Sequence, residues 1–98
     1  MADKIKIDYR QAEEMIQTFR KGKEQLQQTL QEMQGVANTI EGGALVGRGG
    51  DALKDAIRGK LCKSIEALNQ KFAELEDDVK KAMDAMKQAD SESKSQFG

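Results

Sequence analysis

Residues 42–50 read Gly42-Gly43-Ala44-Leu45-Val46-Gly47-Arg48-Gly49-Gly50, and this stretch decides the fold. It lies near the midpoint of a 98-residue chain and holds most of that chain's nine glycines. Glycine is the poorest helix former after proline and a common residue just past a helix end. The pattern on both sides is helical. The chain is therefore predicted to run along one helix, turn at residues 42–50, and return along a second.

Upstream of the turn, Asp8 followed by Gln11 reads as a capping box, with Ile7 just outside it. Apolar residues then recur at Ala12, Met15, Ile16, Phe19, Leu26, Leu30, Met33, Ala37 and Ile40. Steps of three and four dominate, the mark of an amphipathic helix. Glu13, Glu14, Lys21, Glu24, Gln27, Gln28 and Gln31 fill the opposite face. A helix over residues 8–41 is a rod of roughly 50 Å, and its slow near-heptad drift predicts gentle left-handed supercoiling on a neighbour. Downstream, Asp51 places a carboxylate at the positive end of the second helix. There the apolar stripe is Leu53, Ile57, Leu61, Ile65, Leu68, Phe72, Leu75, Val79, Met83 and Met86, which predicts a helix over about 51–90. The serine-rich residues 91–98 read as a flexible tail. Gly35 and Gly59 lie opposite the stripes and read as places where the helices loosen near the turn, the alternative being that this outer surface meets a partner backbone.

The expected fold is a single all-α domain, an antiparallel two-helix hairpin. A hairpin covers only part of each stripe, and a domain this small is marginal even when compact. Two hairpins are therefore expected to dimerise into a four-helix bundle, with Phe19, Leu26, Leu30, Leu61, Ile65, Leu68, Phe72 and Leu75 as the core and dimer stripe.

Chemistry is poorly served. Histidine is absent, which removes the commonest general base and metal ligand. The lone Cys62 excludes an internal disulfide and a multi-cysteine metal site, and reads as a small packing residue beside its stripe, the alternative being a partly exposed thiol able to join two chains. Glu74, Glu76, Asp77, Asp78 and Asp84 fall mostly off the stripe and read as a solvated face. The turn has the glycine spacing of a phosphate loop, but Arg48 and Gly49 stand where Lys and Ser or Thr belong, and a helix precedes it. The expectation is a non-enzyme with no catalytic residues, no metal and no cofactor. A net charge of −1 offers no basic excess for nucleic acid, and no apolar run is long enough to span a membrane. The polar start, Met1 to Asp8, has no leader core, so export would use a route without a cleavable signal peptide. Cations at Arg48, Lys54, Arg58, Lys60 and Lys63 oppose the dipole of the second helix, which favours an acidic surface near the turn.

A hairpin of about 100 residues turning at its middle resembles the WXG superfamily, the ESAT-like (early-secreted-antigenic-target) proteins of type VII secretion. The likeness runs through Leu45-Val46-Gly47-Arg48-Gly49-Gly50-Asp51-Ala52-Leu53, with Leu45 in the place of the family's Trp and Gly47 as its glycine. The Ile5–Asp8 lead-in and the Gln-rich first helix are similar too. Near the end, Met86-Lys87-Gln88-Ala89-Asp90 has the spacing and acid of the family's Tyr-x-x-x-Asp/Glu export signal, with Met86 in the Tyr place. The resemblance implies a secreted, non-enzymatic protein that pairs with itself or a related helical hairpin, with a secretion ATPase or a larger toxin as further partners. Two other readings stay open: an intracellular helical chaperone or adaptor for a larger secreted toxin, which would leave the protein cytoplasmic, and an unrelated coiled-coil structural subunit.

Overall fold

The structure, a computed structural model, describes residues 8–97, with side chains over 8–91. Ile5 and Ile7 of the lead-in, the rest of the polar start and Gly98 lie outside these residues.

Helix α1 spans Tyr9–Thr39. Asp8 caps it: the backbone is extended there, and Oδ1 accepts the Arg10 N–H at 2.9 Å and the Gln11 N–H at 3.3 Å. At its far end Ile40–Ala44 winds as one π turn in which Gly43 takes φ 107°. Glycine reaches the left-handed region without a Cβ penalty, and a helix closed this way makes a bond one residue longer than the α type. Gly47, at φ 102°, then opens α2 (Arg48–Ala56), three residues before the predicted start at Asp51. A second π turn, Ile57–Leu61, leads into α3 (Cys62–Phe97). Helix α3 runs through residues 91–97, where the sequence predicts a flexible tail.

α1 packs along α3, so the architecture is the all-helical hairpin expected. The molecule measures 75 × 23 × 15 Å, and its thinnest dimension is little more than one helix diameter. Its core is correspondingly thin. Near the turn it consists of Leu30, Ala37, Ile40, Ile57, Cys62 and Ile65, and towards the open end of Ala12, Ile16 and Met83. Among the described residues no large side chain is completely buried.

The second π turn changes which residues face α1. The Cys62 N–H donates to the Ile57 carbonyl, five residues back, so one extra residue is wound into the rod. Ile57, Cys62 and Ile65 consequently share the inner face, and Leu61, which steps of four place there, turns outward at 41 % exposure. Cys62 is thus a buried free thiol in the core itself, inaccessible for joining chains. Gly59 sits inside this turn, where the sequence predicts loosening, and Gly35 lies in regular α1.

Candidate functional site

The two sides of the hairpin differ in chemistry. On one side the groove is polar. Asn69 Nδ2 donates to the Lys23 carbonyl at 3.0 Å, and Glu76 gathers three cations. Lys80 Nζ lies 3.0 Å and Arg20 Nε 3.4 Å from its Oε2, and Lys23 Nζ 3.2 Å from its Oε1. Glu76 was counted with a solvated face in the sequence, yet it is 7 % exposed. The signal that could have found it is position: Glu76 follows Phe72 by four residues, and Arg20 and Lys23 edge the stripe of α1.

The Lys80 hydrogen bond, opposed by burial and aided by Lys23, holds the Glu76 carboxyl at about 2 against an ordinary 4.5. A depressed carboxylate stabilises the fold above its unfolded value, and that contribution is lost as pH falls through the folded one. The melting temperature of the chain should therefore fall as pH drops from about 4.5 to about 2. Glu76→Gln should lower the melting temperature at pH 7 and flatten that part of the acid profile, read by circular dichroism. An unchanged profile would remove Glu76 from the acid response.

On the other side the surface is apolar. One residue is 100° of helix, so Leu68 and Leu75 stand across the α1 contact from Asn69 and Glu76. They are 46 % and 43 % exposed, and with Leu61 they recur at sevens. Leu53, also exposed, precedes Leu61 by eight, and the π turn between them absorbs the extra residue. The rim is completed by half-buried Phe72 against half-buried Phe19, ring centroids 6.0 Å apart, with Leu26 and Met33 on the core edge of α1 and exposed Met15 beyond. Gly22 lets the Phe72 ring seat, since a Cβ there would fall 2.6 Å from its Cε2. Of the predicted stripe, Leu30 and Ile65 are buried, Phe19, Leu26 and Phe72 half-buried, and Leu61, Leu68 and Leu75 exposed.

At the closed end, Leu45 is extended and half exposed, and Val46 is almost wholly exposed. Gly50 is buried against the Leu45 carbonyl. Arg58 bridges back to the other arm, donating to Glu41 of the first π turn and to Asn38 Oδ1 of α1 at 2.8 Å, and its guanidinium lowers the Glu41 pKa. Lys54 faces Asp51 at 4.0 Å. Two of the cations that oppose the dipole thus meet acids of the chain itself.

At the open end, Met86 is half-buried and Asp90 exposed. Tyr9 Oη donates to Asp90 Oδ2 at 2.9 Å, and Lys87 Nζ lies 5.6 Å from the Tyr9 ring centroid. Partial burial, then the Asp90 carboxylate, raises the Tyr9 pKa above its ordinary value. The Met86–Asp90 turn is therefore held against the first residue of α1. Among the described residues no cluster of His, Cys, Asp and Glu is placed to hold a metal, and no helix is long and apolar enough to cross a membrane.

The family model described as proteins of 100 residues with WXG matches residues 4–91, nearly the whole chain. No curated protein and no solved structure matches.

Proposed function

The chain belongs to the WXG100 family, and on that premise we propose that it is a non-enzymatic substrate or partner of a type VII secretion system, working as a pair of hairpins. Proteins of this family pair with one another and are exported by type VII systems without signal peptides. The observation that carries the reading is the one-sided surface: exposed Leu61, Leu68 and Leu75 in heptad register beside Phe19 and Phe72. A stripe at sevens is the pattern by which helices pack on helices, and contiguous exposed apolar surface of this kind marks an interface. The second hairpin is a second copy of this chain. A net charge of −1 sets little repulsion between copies, and the polar groove leaves one flank free to pair.

Leu45 and Gly47 form the turn motif of that assembly: Gly47 fixes the chain reversal through its positive φ, and exposed Leu45 is available to a partner. Met86 and Asp90 form the export signal, and a secretion ATPase is its reader. Deleting residues 84–98 should leave the chain in cells and strip it from the culture supernatant. Cell-associated abundance would be followed in parallel, so that degradation is not taken for retention. Export at the native level would sink the role given to this segment.

A further inference from the structure

The end of α3 offers an acid at Asp90 and a thioether, Met86, one turn before it. A carboxylate with only a thioether beside it is a weakly distinguished surface on a helix that carries acids throughout. The fold supplies what the local sequence lacks. Tyr9, 81 residues away in the chain, lies against this turn. Its ring packs on the cluster of Ala12, Ile16 and Met83, and its hydroxyl donates to Asp90 at 2.9 Å. Lys87, on the same turn, approaches the ring at 5.6 Å. The phenol, the carboxylate and the ammonium thus make one patch at the open end, drawn from both helices.

We infer that Tyr9 is the aromatic of the C-terminal recognition surface, so that the surface is read from the folded hairpin rather than from a linear segment. This rests on the export role given above to Met86 and Asp90. A patch split between α1 and α3 exists only when the two helices are docked in register, because the Tyr9–Asp90 bond requires their ends to meet. Large aromatics of low conformational cost, fixed by a neighbouring hydrogen bond, are the side chains that anchor recognition most strongly.

The test uses the full chain in cells carrying its own type VII system, with supernatant normalised to soluble cellular protein and with melting curves on each purified variant. Tyr9→Ala should lower export by roughly tenfold, the scale of losing one recognition aromatic. Tyr9→Phe keeps the ring on the patch and loses only the bond to Asp90, and should export close to the native level. Export of Tyr9→Ala at the native level would overturn the inference. So would a Tyr9→Phe variant as defective as Tyr9→Ala, because the hydroxyl bond rather than the ring would then carry the effect and Tyr9 would be a structural clasp only. Native export of the 84–98 deletion would instead remove the signal itself, a distinct failure.

Discussion

Leu68→Glu combined with Leu75→Glu should turn the proposed pair of hairpins into monomers. Burying one leucine side chain is worth about 2 kcal/mol, and in an interface between identical copies each residue counts twice. Less than half of each leucine is left for a partner to cover, about 1 kcal/mol apiece, so loss of all four contacts weakens pairing by roughly 4 kcal/mol, on the order of 10³-fold in Kd, before any cost of burying carboxylates. Both leucines are more than two-fifths exposed in the single hairpin, so the variant sacrifices little of the internal core. The separated chain should nevertheless lose helicity on dilution, because its own core is two small clusters with no large side chain fully buried among the described residues. Val46→Glu is the matching control. Val46 is 89 % exposed and lies in the turn, off the heptad line, so the charge there should leave pairing intact. Sedimentation of the two variants at equal concentration separates a surface that pairs from one that merely tolerates charge.

Gly50→Ala should be the most damaging glycine-to-alanine change among the described residues. A Cβ at this position would stand 2.4 Å from the Leu45 carbonyl oxygen and 2.9 Å from its carbonyl carbon. Both atoms are backbone, held between the positive-φ residues Gly43 and Gly47, so relief requires the whole turn to move. The cost should be about 3 kcal/mol, at the upper end for overpacking, and the melting temperature should fall on the order of 15 °C. Gly22→Ala is a useful contrast. Its Cβ would also be close, 2.6 Å from Phe72 Cε2, but the obstacle is the far edge of a ring on the half-exposed flank. The ring can tilt, and alanine returns about 1 kcal/mol of helix propensity. Gly22→Ala should therefore change the melting temperature much less than Gly50→Ala. Equal losses in calorimetry would show that the turn is not the rigid element described above.

The hairpin was legible because its two determinants are local. A glycine-dense stretch near the midpoint and three-four periodicity on both sides leave few other folds, and Asp8 caps α1 at the residue where the sequence places the cap. The register of the second helix was less legible. Steps of four through Ile57, Leu61 and Ile65 assume an uninterrupted α-helix, whereas the π turn winds in one residue and exchanges Leu61 for Cys62 on the inner face. Gly59 marks the place, but a weak helix former does not by itself specify an extra residue. Glu76 shows a different limit. Five acids on one helix look alike by composition, and what sets Glu76 apart is its place four residues after Phe72 together with docking against Arg20 and Lys23. The Tyr9–Asp90 contact depends on how the two rods align over their full length, which no local pattern encodes.

Whether the leucine flank pairs two copies of this hairpin is decided by sedimentation equilibrium on the purified chain. Pairing through that flank gives a single species of twice the 10.9 kDa chain mass at micromolar concentration, dissociating only with loss of helicity. A stable, fully helical species of 10.9 kDa over the same range would contradict it.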